Sequence, residues 1–173
     1  MQSLPVRILC TEDDADTRDL ITFLLRSSNC EVITTETPAM ALEIAKTSSF
    51  DLYLLDNWVP AMSGIDLCTE LRRFDSETPV LFYSGAGYEK DKAHAYASGA
   101  QGYLVKPVDN EELVAEVFRL ISQSRANRTT QATQATVTKP RNNSLNTLPR
   151  LSRQSIAGSH NVIAGQVSSS SAA

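Results

Sequence analysis

The chain has little with which to staple itself or to cross a membrane. Its 173 residues include three cysteines, Cys10, Cys30 and Cys68, an odd number at wide spacings with no C-x-x-C pair. Such a set builds neither a disulfide framework nor a zinc site, so free thiols in or near a core are expected. No window approaches the roughly 20 apolar residues of a membrane span. The N-terminal MQSLPVRILCTEDDAD lacks the apolar run that follows a basic start in a secretory signal, which makes a cytosolic protein the expectation. Acid is missing from the last third. Residues 1–122 hold all 20 Asp and Glu against 10 Lys and Arg, whereas 123–173 hold six bases (Arg125, Arg128, Lys139, Arg141, Arg150 and Arg153), no acid and no aromatic residue.

That asymmetry divides the chain into an acidic body, 1–122, and a low-complexity basic tail, 123–173. A segment so rich in Ser, Thr, Asn, Gln and Ala buries too little apolar surface to offset the entropy of ordering it, so disorder is expected there. Six charges over 51 residues are sparse for a nucleic-acid arm, and a solvated linker or docking segment fits better.

In the body, short apolar β-branched runs alternate with stretches of helical period, the pattern of consecutive βα units. Strands are expected at 6–10, 31–35, 52–55, 80–83 and 102–105. Helices are expected at about 16–27, 38–47, 65–74, 90–98 and 111–122. Thr37 before Pro38 reads as a helix start. Leu20, Phe23, Leu24 and Ser27 follow i, i+3, i+4, i+7 spacing, which predicts the stripe of the first helix that faces a sheet. Nearly continuous apolar strands such as LYLL and VLFY require a parallel sheet covered on both faces, an α/β doubly wound fold. Right-handed crossovers then bring the carboxyl ends of all strands to one edge, where ligand sites of open α/β sheets lie.

At those ends stand Glu12, Asp13 and Asp14 after the first strand, Asp56 after the third, Ser84 after the fourth and Lys106, followed by Pro107, after the fifth. Carboxylates converging in one pocket repel one another unless a cation sits among them. Oxygen-only ligands suit a hard divalent ion such as Mg²⁺. With charge so compensated, an aspartate can attack phosphorus, and a lysine and a hydroxyl can hold the transferred oxygens. Asp14 and Asp16, at a helix start, fit the positive end of that helix better than a metal. The segment SGAG has no accompanying glycine fingerprint after the first strand, so a dinucleotide site is not expected.

The segments ILCTEDDAD, DLYLLDNWVPAMSGIDLC, PVLFYSG and GAQGYLVKPVDNEEL, in this order, resemble the receiver domain of two-component response regulators over residues 5–122. The resemblance implies a five-stranded parallel sheet in flavodoxin-like order 2-1-3-4-5. It also implies transfer of a phosphoryl group from a histidine kinase or phosphotransfer protein to Asp56. Glu12 and Asp13 then correspond to the acidic pair that helps bind Mg²⁺, directly or through water, with Asp56 and the backbone carbonyl of Trp58. Ser84 corresponds to the switch hydroxyl, Tyr103 to the aromatic switch that turns inward, and Lys106 to the phosphoryl-pairing lysine, with a cis bond to Pro107. The first acidic position is Glu where Asp is commoner.

No effector domain of ordinary size fits in 123–173, so a stand-alone receiver, or one whose output depends on short motifs, is expected, and the resemblance implies a signalling switch rather than an enzyme. Its readout face would be the fourth helix, fifth strand and fifth helix (Tyr96, Tyr103 and 111–121), which would bind an output protein or a second copy on phosphorylation. Two other classes fit the residues less well. A pseudo-receiver would have lost the acceptor set, which is intact here. An aspartate-nucleophile phosphatase would want a second Asp where Trp58 stands.

Overall fold

The computed structural model describes residues 5–137. Five βα units follow one another: β1 (Val6–Thr11), α1 (Ala15–Ser27), β2 (Cys30–Thr35), α2 (Pro38–Thr47), β3 (Leu52–Leu55), α3 (Gly64–Arg72), β4 (Val80–Ser84), α4 (Glu89–Ala97), β5 (Gly102–Val105) and α5 (Asn110–Val137). All strand pairs are parallel, in the order β2-β1-β3-β4-β5. The sheet order, the doubly wound class and the strand positions agree with the sequence expectation.

Alternation along each strand sorts the core into two layers. Ile8, Cys10, Leu52, Leu54, Leu81 and Tyr83 pack with Ile21 and Leu25 of α1 and with Leu113, Val117 and Leu120 of α5. Leu9, Tyr53, Leu55, Val80 and Phe82 pack on the other face with Ala41 and Ala45 of α2, Leu67 and Leu71 of α3, and Ala95 of α4. Helix starts are set by short polar side chains that accept orphan backbone N–H groups. Asp14 Oδ1 accepts from Thr17 N at 2.8 Å, Thr37 Oγ1 from Met40 N at 3.4 Å, and Ser63 Oγ from Asp66 N at 3.1 Å. Asp14 is thus the cap of α1, as its place before that helix suggested. The cysteines are free and buried, again as expected.

Two expectations are corrected. In α1 the stripe on the sheet is Ile21, 1% exposed, and Leu25, with Leu24 beside them, whereas Leu20 and Phe23 point outward, Phe23 at 69% exposure. Leu20, Ile21, Phe23, Leu24 and Leu25 cover so broad an arc that two overlapping helical stripes exist, and the docking angle on the sheet selects one of them. The last helix does not stop near Ser122 but continues to Val137, so the disorder expected from 123 onward does not hold for 123–137. The rest of that expectation, 138–173, lies outside the described residues. Composition excludes a core from this stretch, but not the prolongation of a helix already nucleated by packing upstream. Nothing between 110 and 137 is Gly or Pro. The extension is also tied down: Arg125 donates to Asp51 Oδ1 at 2.8 Å and Ser124 Oγ to the Glu77 carbonyl at 3.2 Å. Burial alone would raise the Asp51 carboxyl, but the Arg7 N–H and the Arg125 guanidinium outweigh it and hold it below the usual range.

The loop from Asp56 to Gly64 carries the site and is tightly folded. A Cβ on Gly64 would stand 2.2 Å from the Asp56 carbonyl oxygen and 2.9 Å from Asn57 Cα, so only glycine lets α3 begin so close behind the strand end. Gly64 N also donates to the Asn57 carbonyl at 3.1 Å. Within the same loop Ala61 adopts φ 73°, a left-handed conformation in which its Cβ is strained. Ala61→Gly is expected to raise unfolding stability by about 0.5–1 kcal/mol, the relief of strain exceeding the entropy added to the unfolded chain. Urea unfolding of both proteins checks this, and an unchanged or lower midpoint contradicts it.

Candidate functional site

Parallel strands deliver their carboxyl ends to one edge, and there β1, β3, β4 and β5 each place a polar group. Glu12 follows β1 directly, its N–H bonded to the Thr35 carbonyl at 3.0 Å. Asp56 follows β3, its N–H bonded to the Thr11 carbonyl at 2.9 Å. Lys106 follows β5, its N–H bonded to the Ser84 carbonyl at 2.9 Å, and its bond to Pro107 is cis as expected. Backbone bonds between neighbouring strands therefore fix where these side chains start.

The side chains converge. Lys106 Nζ lies 2.6 Å from Glu12 Oε2 and 2.9 Å from Asp56 Oδ2, and 5.2 Å from the centre of the Tyr83 ring. Oxygen atoms of Glu12, Asp13 and Asp56 lie within 4.8 Å of one another. Glu12 is 2% exposed and Asp56 8%, while Asp13 is exposed. Three carboxylates face one ammonium, so the pocket carries excess negative charge in a poorly hydrated place. Burial pushes the Glu12 carboxyl up, and the Asp56 charge adds to this while Lys106 opposes it. Burial alone would lower the Lys106 ammonium, but its bonds to Glu12 and Asp56 outweigh that and raise it. An oxygen-only set with one exposed member fits a hard divalent cation entering from solvent, which Mg²⁺ satisfies.

Ser84 is fully buried at the end of β4, and its Oγ accepts from Ala86 N at 3.4 Å. Tyr103 on β5 is turned inward, stacked on Phe82 at 5.7 Å between ring centres, and its hydroxyl donates to the Ala86 carbonyl at 2.6 Å. Ala86 thus links the Ser84 hydroxyl to the Tyr103 ring. Trp58, two residues after Asp56, is 69% exposed, and its N–H donates to Asp56 Oδ1 at 3.2 Å. Glu12, Asp13, Asp56, Ser84 and Lys106 therefore gather around the ends of β1, β3, β4 and β5, and Tyr103, within β5, reaches them through Ala86.

Two neighbours escaped the sequence reading. Arg18 of α1 donates to the carbonyls of Glu12 at 2.9 Å and Asp13 at 3.1 Å and pairs with Glu36 at 3.0 Å, holding the β1–α1 turn that presents both acids. Its place on the turn of α1 after the acidic run was the available signal. Tyr83 beneath Lys106 has the sequence setting of an ordinary strand residue. Cys10, close by, takes no part, since burial pushes its thiol up to about 12 and leaves no thiolate nucleophile at neutral pH.

Comparison with known proteins agrees with this geometry. The chain is 33% identical over 120 residues to the cell cycle transcriptional regulator CtrA of Caulobacter vibrioides, covering 69% of this chain and 52% of that protein. It is 32% identical over 120 residues to the cell cycle response regulator CtrA of Brucella ovis, with the same coverage. The chain spans about half the length of these curated relatives. Among solved structures, the receiver domain of Francisella response regulator 1452 superposes with TM-score 0.65 at 26% identity, covering 69% of this chain and 98% of that one. The CheY-like receiver domain protein of Methanospirillum hungatei superposes with TM-score 0.69 at 22% identity, covering 71% and 98%, a likeness of fold alone. The sequence pattern of the response regulator receiver domain matches residues 8–118. Matching that pattern over most of its length, with the acidic edge and its lysine in place, the chain belongs to the response regulator receiver domain family.

Proposed function

We propose that this receiver domain accepts a phosphoryl group on Asp56 from the phosphohistidine of a histidine kinase or phosphotransfer protein and signals by changing the proteins it binds. The observation that carries this reading is the buried Asp56 carboxylate with Lys106 Nζ at 2.9 Å and two more carboxylates beside it. In the reaction an Asp56 oxygen attacks phosphorus, and the bond from phosphorus to the donor's imidazole nitrogen breaks with its electron pair leaving on nitrogen. Negative charge gathers on the equatorial oxygens, where Lys106 and the Ser84 hydroxyl take it up. Asp13 and Asp56, with Glu12 and the Trp58 carbonyl, form the Mg²⁺ site in this reading. When bound, the ion lowers the repulsion between carboxylate and phosphate.

The readout follows the contacts from Ser84 through Ala86 to Tyr103. A Ser84 hydroxyl drawn to a phosphoryl oxygen gives up its bond from Ala86 N, shifting the loop on which Tyr103 rests. This biases a two-state surface made of α4, β5 and α5, including the half-exposed Tyr96. The partner there is an output protein or a second copy of the domain. No helix among the described residues is long and apolar enough to cross a membrane, and we place the switch in the cytoplasm beside its phosphoryl donor. It acts as a signalling switch that assists its own modification, without nucleic acid as a partner of this domain.

Intact mass after incubation with a small-molecule phosphoryl donor or a phosphohistidine protein, with Mg²⁺, is expected to show one added phosphoryl group. The adduct is expected to vanish in Asp56→Asn and with EDTA, and its absence with both donors overturns the reading. Mg²⁺ at about one hundred times its dissociation constant should stabilise the domain against unfolding by about 2.7 kcal/mol, and Asp13→Asn should abolish the gain. Neither Trp58 nor Ala86, two residues beyond Asp56 and Ser84, orients a water for hydrolysis. Trp58→Asn is therefore expected to speed phosphate release from the modified protein about tenfold, and equal time courses would remove the idea.

A further inference from the structure

Helix α1 presents a face that nothing among the described residues covers. Ile21 and Leu25 take its sheet side, and the opposite stripe is Asp16, Asp19, Leu20, Phe23, Arg26 and Ser27, all exposed. Phe23 and Leu20 stand next to each other in the middle of that stripe, at 69% and 45% exposure. Beside them a shallow groove of about 400 Å³, with Leu24, Val114 and Ala115 in its lining, opens between α1 and α5. Together these residues make one contiguous apolar strip, the kind of surface that marks a protein contact.

The charges around the strip say what fits it. Asp19 and Arg26 lie on one flank of α1, two turns or about 10 Å apart along the axis, too far to pair with each other. Asp19 has no hydrogen bond or ion pair, and Arg26 has no carboxylate partner, among the described residues. Acid stands before Phe23 and base after it. A second α1 laid antiparallel on the first, with a twofold axis at Phe23, brings each residue to the one nearly as far on the other side of Phe23. Asp19 of each copy then faces Arg26 of the other, and the pair forms twice by symmetry. Phe23 meets Phe23 at the axis, and on the opposite flank Leu20 of each copy lies on Leu24 of the other, at the groove. Parallel pairing sets Asp19 on Asp19 and Arg26 on Arg26, which like-charge repulsion disfavours.

We infer that α1 of a second copy of this chain covers the stripe, giving a weak antiparallel α1–α1 dimer. One helix face with its neighbouring groove buries less than a permanent interface does, so the dimer exchanges with monomer, with a dissociation constant of about 100 µM. Because α1 begins directly after Asp13 and Asp14 and the two helices run opposite ways, the acidic edges of the two copies point away from each other and both stay open. The contact needs no phosphoryl group and does not rest on the phosphoacceptor reading. It also leaves α4, with Tyr96, uncovered.

Sedimentation equilibrium of the full, unmodified chain between about 10 µM and about 1 mM is expected to show the monomer giving way to the dimer. Phe23→Glu is expected to weaken association about tenfold or more, since it removes the central apolar contact. Asp19→Arg alone and Arg26→Asp alone are expected to weaken it comparably, because each sets two like-charged pairs across the axis. An equimolar mixture of these two single variants is expected to regain dimers within about threefold of the parent constant, since only the mixed pair matches both charges. The chain carrying both changes should regain them as well. All three positions are on the exposed face, and thermal unfolding checks that each variant is folded; Phe23→Ala replaces Phe23→Glu if the latter is not. A parent that stays monomeric at about 1 mM leaves the stripe to a different protein and overturns the inference. A mixture no more associated than its two components overturns it too. So does association kept in Phe23→Glu and lost in Tyr96→Ala, which moves the contact to α4.

Discussion

Like charges brought together in a poorly hydrated place must be compensated, and much of this domain's architecture answers that requirement. Glu12 and Asp56 stand nearly buried at the ends of adjacent strands, with Asp13 beside them. Lys106 is delivered from the far side of the sheet to lie between two of them. Arg18 holds the turn that carries Glu12 and Asp13 by its carbonyls and spends its charge on Glu36 instead of on the pocket. One ammonium against three carboxylates leaves the pocket short of positive charge, and that deficit makes it receptive to a cation.

A rigid support makes such a pocket possible. The strands under it are apolar on both faces, so their positions are set by two packed layers. The loop after Asp56 folds back so closely that Gly64 tolerates no side chain, and Ala61 accepts a left-handed backbone to complete it. Strain at this loop fits a site whose geometry matters more than local comfort. At the opposite end of the sheet, α5 runs on past the core and is fastened through Arg125 to Asp51, just before the strand that ends in Asp56. One strand thus meets the acidic edge at one extremity and the anchorage of the last helix at the other.

Much of the site was legible in the chain because its chemistry is discontinuous: acids, a hydroxyl and a lysine interrupt apolar runs where each strand ends. The departures have one cause. Phe23 and Ile21 share a broad apolar arc, and only docking on the sheet decides which is covered. Residues 123–137 have the composition of a tail, yet they continue a helix nucleated by Leu113, Val117 and Leu120 upstream. Arg18 and Tyr83 are unremarkable in sequence because their roles depend on neighbours far along the chain.

By itself the sequence determined the βα alternation, the two-faced burial of the strands and the set of polar groups at their ends. These follow from hydrophobic period and from turn chemistry, which act over a few residues. Tertiary structure decided how that set is shared out: Lys106 on Glu12 as well as Asp56, Asp13 left to solvent, Tyr103 turned in onto the Ala86 carbonyl, and α5 prolonged along the base. Those choices join residues up to 94 positions apart. Their energies depend on burial and on charge distances that exist only once the sheet has assembled.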